Sequence, residues 1–200
     1  MDPVSLVNDG IDKVEEFLGH SPHPAIVGLP IGAWAVSNVC DVMGLFGGGQ
    51  PCDDAARLSM GIGLVGAAGA VVTGLRDYSF IPKDRQPNHD IATKHALGNA
   101  VAGSLFAASY VIRALDYQAG RRPSLGARLL GLAGGGLVLY TAWLGGKLVE
   151  ELGEAVKPVM EQMEKEEQGQ KKDEPRPVTQ QHDGKGRQPQ PAGAGMPRRG

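Results

Sequence analysis

Aromatic residues are scarce in this 200-residue chain, which has four Phe, two Trp and four Tyr. Cysteine is scarcer still, with only Cys40 and Cys52. Their spacing matches no CxxC pair or other metal-ligand pattern, and no CxxCH run exists for covalent attachment of haem. Two unrelated thiols are the simpler reading, since a disulfide requires an oxidising compartment. Net charge is almost absent, at 20 Lys and Arg against 22 Asp and Glu. No basic excess is available to hold nucleic acid, and there is no acidic coat. Catalytic signatures are missing too: there is no GxSxG elbow, P-loop, HExxH or dinucleotide fingerprint. The glycine-rich stretch at 61–69 lies inside an uncharged run instead of at a strand-to-helix turn. With no catalytic motif, the chain does not read as an enzyme on its own. The acidic N-terminus (Asp2, Asp9, Asp12) lacks a basic region followed by an apolar run, so the expectation is insertion through internal segments.

What is present is apolar and uneven. The mean hydropathy of −0.17 averages two unlike pieces. Nine of the 20 basic residues follow Val156, and ten of the 22 acidic ones fall from Glu150 onward. Ahead of that polar end lie four apolar runs, at about 25–45, 58–75, 96–112 and 129–146. Each approaches the roughly 20 helical residues that cross about 30 Å of hydrocarbon. The expectation is an all-α protein, a four-helix transmembrane bundle over 25–149. Its 30 glycines fit that reading, because helices associate in lipid by close backbone approach at small residues. Gly66, Ala70 and Gly74 make one such stripe on the second run, and Gly131 and Gly135 another on the fourth. Pro30 sits near the start of the first span and disturbs its helix there.

Two flanks complete the plan. In residues 1–24, Val7, Ile11, Val14 and Leu18 recur at helical spacing opposite Asp12, Lys13, Glu15 and Glu16. Residues 150–168 repeat the pattern, so both flanks read as short amphipathic helices at an interface or packed on the bundle. Residues 169–200 are rich in Gln, Pro, Gly and charge and are expected to be disordered. An even number of spans puts both ends on one face, and the balance of Lys and Arg places that face in the cytoplasm, with the bundle in the cytoplasmic membrane.

That topology gathers polar residues. His20 and His23 precede the first span, Arg76 and Asp77 end the second, and His95 and Asn99 begin the third. Ionisable groups at membrane depth are costly and are functional candidates by default. Asn38 and Asp41 lie within the first span toward its other end and read as structural, with Arg57 or Arg113 as the partner of Asp41. Arg76 beside Asp77 reads as an interfacial anchor. His89 falls in a loop and is expected to be solvated, and His182 falls in the tail.

The motifs GHSPHPAIVGLPIGAWAVSNVCDVMG, GAAGAVVTGLRDYSF, KHALGNAVAGSLFAASYVIR and YTAWLGGKLVEELGEAV stand in order. Together they resemble domain-of-unknown-function family 2231, small predicted membrane proteins, over roughly Leu18 to Val156. Tyr78 stands where that pattern carries Trp, and Lys147 where it carries His or Glu. The resemblance implies a link to electron transfer, because some members are fused to Rieske-type ferredoxin domains; the Rieske Cys/His motif itself is missing here. The residues leave two readings open. In one, His23 and His95 are axial ligands of a noncovalent b-type haem between the first and third helices, or His20 or Asp77 completes a metal-ion site. In the other, the histidines cap helix starts or bond backbone carbonyls. The corresponding functions are a redox-associated membrane subunit, partnered by a Rieske-type ferredoxin or other redox protein, and a non-catalytic scaffold that recruits a partner through its interfacial helices and tail. Under both, the lipid bilayer is a partner, nucleic acid is not, and oligomeric state stays open.

Overall fold

The structure is a computed structural model and describes residues 3–154 together with residues 161, 163 and 165. The expected flank at 150–168 therefore lies mostly outside the described residues, and the tail at 169–200 lies wholly outside them. Among the described residues, six helices follow one another: α1 (Pro3–Leu18), α2 (His23–Ile26), α3 (Gly28–Leu45), α4 (Gly49–Ser79), α5 (Asn88–Gln118) and α6 (Leu125–Glu150).

Among the described residues, four stretches are long and apolar enough to cross a membrane: His23–Leu45, Gly49–Ser79, Asn88–Gln118 and Leu125–Glu150. They contain the four apolar runs but extend past them at nearly every end, because helix continues through charged residues once the backbone hydrogen bonds are running. The first span is divided at Val27. Pro30 has no N–H to offer Ile26, whereas the bonds on either side, Val27 N to His23 O and Ile31 N to Val27 O, are made.

Short connections make sequential helices antiparallel neighbours. α3 packs on α4, α4 on α5 and α5 on α6, and α3 closes the ring against α6. The turn into α6 is held by Asp116, which accepts from Arg121 Nη2 (2.7 Å) and Ser124 N (3.0 Å). Ser124 then caps α6 by accepting from Ala127 N. Each spanning helix gives to the core, which consists of Trp34, Met60, Ala102, Phe106 and Val138. Trp34 stacks on Phe106 across the bundle, with ring centroids 4.2 Å apart and planes within 11°.

The outside carries the larger apolar residues. Leu29, Val39, Val65, Val72, Leu97, Val101 and Leu139 are exposed, while Ser37, Asp41, Thr73, Ser109, Arg113, Arg128 and Thr141 are buried. Such a surface is far more apolar than water tolerates, and lipid is the solvent that fits it. Tyr140 and Trp143 lie near Lys147 at one end of this belt, where amphipathic rings meet headgroups. α1 touches the bundle lightly. Ile11 is buried, and Asp12 and Glu15 reach Arg76 at the end of α4. Gly19 follows α1 at φ +77°, the left-handed turn that lets the chain re-enter the bundle at His23.

Candidate functional site

The bundle has a polar layer at each end. The first collects the histidines. His23 Nδ1 lies 3.0 Å from Thr73 Oγ1 on α4. The Thr73 hydroxyl donates to Gly69 O one turn back, so the imidazole is the donor to Thr73. Ser21 Oγ donates to Asp77 Oδ2 at 2.7 Å and accepts from His23 N at 3.2 Å, tying the start of the first span to the end of α4. On the other side of the layer, His95 Nδ1 donates to Thr141 O on α6 at 2.8 Å. Its Nε2 accepts from Asn99 Nδ2 at 3.1 Å, and Asn99 Oδ1 lies 2.8 Å from the Thr141 hydroxyl.

Close approach of the rings depends on two glycines. A Cβ at position 74 would lie 2.7 Å from His23 Cε1, and one at 145 would lie 3.0 Å from His95 Cε1. The structure thus brings His23, Asp77, His95 and Asn99 to one end of the bundle, as the topology implies. His20 stays outside, exposed, with Nδ1 donating to Ser21 O. Arg76 turns outward to Glu15 (2.8 Å) and Asp12 of α1, with Asp77 at 4.0 Å. His89 departs from the solvated loop residue expected. It is half-buried at the start of α5, with Nε2 3.1 Å from the Tyr78 hydroxyl, which also meets Thr93 Oγ1 at 2.8 Å. Sequence reasoning missed the four hydroxyls of Ser21, Thr73, Tyr78 and Thr141. It also missed Glu154, which accepts from Asn88 Nδ2 at 2.7 Å and brings the chain leaving α6 back to the start of α5.

The opposite layer is ionic. Arg113 Nη2 donates to Asp41 Oδ2 at 2.5 Å, with both side chains fully buried. Arg128 bridges from Asp41 (3.4 Å) to Asp53 (2.5 Å), and Arg122 closes on Asp53 at 2.6 Å from the rim. Of the two partners open to Asp41, packing selects Arg113. Arg57 lies 4.0 Å over the Tyr117 ring and 3.8 Å from Asp54. Asn38, one turn before Asp41, sets its amide against Gly135 and leaves Oδ1 without a hydrogen-bond partner among the described residues. Two Asp and two Arg balance in the buried part. That balance is what makes the layer tolerable, since an unpaired charge there costs several kcal/mol.

Among the described residues, no group of three His, Cys, Asp or Glu side chains is placed to share an ion. A haem ligand needs an imidazole lone pair, and both ring nitrogens of His95 are engaged by the protein. As arranged, His95 offers no free ring nitrogen to a haem, whereas His23 has only Nδ1 engaged, by Thr73. Cys40 and Cys52 are free thiols.

A family model described as predicted membrane protein (DUF2231) matches residues 19–158. Neither a curated protein nor a solved structure matches the chain.

Proposed function

The chain belongs to the DUF2231 family of predicted membrane proteins, and from that premise we propose that it is a non-catalytic membrane scaffold. In this reading the bundle holds two polar layers for its own assembly and offers a partner the parts that leave it, α1 and the chain beyond α6. The observation that supports it is the state of His95, whose Nδ1 and Nε2 serve Thr141 and Asn99 and so act as structural ties. Both ends leave from the same face. Arg76 holds α1, and Glu154 sits on Asn88 at the start of α5. That face is cytoplasmic in our proposal, and a redox protein such as a Rieske-type ferredoxin is the partner that the family resemblance implies.

The absorption spectrum of the full chain, purified in detergent, tests the scaffold against the redox subunit. The scaffold gives no Soret band and no stoichiometric transition metal. A Soret band that disappears in His23→Ala or His95→Ala would overturn it in favour of a b-type haem. Maleimide labelling of a cysteine placed after His182 tests the orientation, because labelling from outside intact cells would reverse it.

A further inference from the structure

The two layers repeat a pattern. His23, Trp34, Ser37 and Asp41 each stand 72 residues before His95, Phe106, Ser109 and Arg113. Ala56, Arg57, Gly63 and Gly74 each stand 71 residues before Ala127, Arg128, Gly134 and Gly145. The contacts follow the same shifts. Ser37 Oγ donates to Ala56 O (3.0 Å) and Ser109 Oγ to Ala127 O (2.6 Å). Gly63 leaves room for the Trp34 ring and Gly134 for the Phe106 ring. Gly74 leaves room for His23 and Gly145 for His95. Helix packing also maps onto itself: α3 on α4 becomes α5 on α6, and α4 on α5 becomes α6 on α3.

We infer that the bundle is one helical hairpin used twice, α3–α4 and α5–α6, paired about a pseudo-two-fold axis along the bundle. We further infer that the unlike charges at the equivalent positions 41 and 113 dictate which hairpin pairs with which. Residues that correspond across such an axis meet each other on it, as Trp34 meets Phe106 and Asp41 meets Arg113. Two identical hairpins, one from each of two chains, would bring Asp41 against Asp41 or Arg113 against Arg113. A buried like-charge pair is strongly disfavoured, so the first hairpin accepts the second and refuses a copy of itself. One orphaned group carries the mark of the symmetry. Arg128 supports Asp41, whereas its counterpart Arg57 lies 3.8 Å from Asp54 and over the Tyr117 ring, the position equivalent to Asp41 being held by Arg113. The Nε of Arg57 is buried without a hydrogen-bond partner among the described residues.

The equivalence is tested in the full chain by exchange. Asp41→Arg and Arg113→Asp alone each lose most of the folded, monodisperse protein in detergent. Combined in one chain they recover it, because Arg57 receives the new aspartate as Arg128 received the old one. A milder exchange, Trp34→Phe with Phe106→Trp, asks the same without charge. The Phe106→Trp single variant lowers the melting temperature and the double variant restores it. If neither exchange improves on its single variants, the two halves are not equivalent and the inference falls. Choice of partner is tested by co-expressing the Asp41→Arg chain with the Arg113→Asp chain under different affinity tags. Each chain repels internally, but hairpins traded between the two pair Arg with Asp and Asp with Arg, so mixed assemblies co-purify. If the charge exchange folds within one chain yet no mixed assembly forms, the charges hold the halves together without choosing them, and the pairing rule is overturned.

Discussion

The bundle closes its two ends by different chemistry. At the end carrying α1, neutral or singly charged groups trade hydrogen bonds between adjacent helices: His23 with Thr73, Ser21 with Asp77, His95 with Thr141. At the other end, Asp41, Arg113, Arg128 and Asp53 meet as full charges with almost no exposure. The contrast teaches where a membrane bundle is brittle. A hydrogen bond lost in lipid finds substitutes, because the unfolded chain in the membrane also finds partners. A charge left alone in the same interior finds none.

The sharpest break in that contrast is Asp41→Asn, which leaves the buried Arg113 without its counter-charge and should cost about 3–5 kcal/mol. Unfolding in detergent measures it, and Asp41→Leu with Arg113→Leu should return most of the loss because both charges leave together. Should Asp41→Asn prove as mild as a variant at the histidine end, the distinction between the layers disappears. Next in size come the glycines behind the rings. Gly74→Ala places a Cβ 2.7 Å from His23 Cε1, and Gly145→Ala places one 3.0 Å from His95 Cε1. Overpacking of that kind costs about 1–3 kcal/mol, with position 74 the worse of the two, read as a drop in melting temperature.

Smaller still are the hydrogen bonds themselves. Asp77→Asn, Thr141→Val and His95→Ala should give folded, membrane-inserted protein, at about 0.6 kcal/mol for each bond removed. Disulfide crosslinking of cysteines at 23 and 95 checks that the layer keeps its shape. The least effect belongs to Arg76→Gln. Its pairs with Asp12 and Glu15 are partly exposed, so global stability should shift by no more than about 1 kcal/mol. Hydrogen exchange should nonetheless quicken in α1 alone, and added salt should narrow the difference from the parent.

Much of this architecture is legible in the residues. Four spans stand out because hydropathy is the dominant signal in lipid. Their ends do not, because the helix runs on through Gln50 to Arg57 and through His89 to Lys94, where charge interrupts the apolar run but not the backbone. Even parity alone brings His23, Asp77, His95 and Asn99 to one end. Their partners stay hidden, since one Ser or Thr in a span looks like any other until a neighbouring helix is docked. Asp41 has two arginines within plausible reach, and only packing separates Arg113 from Arg57. The repeat is quieter still. Ala56-Arg57-Leu58 returns as Ala127-Arg128-Leu129, but most equivalent positions share size or room instead of identity.

The two polar layers also make the bundle a gauge of the membrane around it. From His95 to Arg113, α5 advances 18 residues, which is about 27 Å of helix rise. The hydrocarbon of a typical bilayer is about 30 Å thick. A membrane of that depth lets the ionic end and the histidine end both rest against headgroups, with the apolar belt filling the interval. A thicker one draws the Asp–Arg layer away from hydrated lipid, and a thinner one strands Leu and Val in water, so the helices must tilt or the lipid deform. The distance between its two seams suits this protein best to bilayers near that thickness, with a modest cost for each ångström of mismatch.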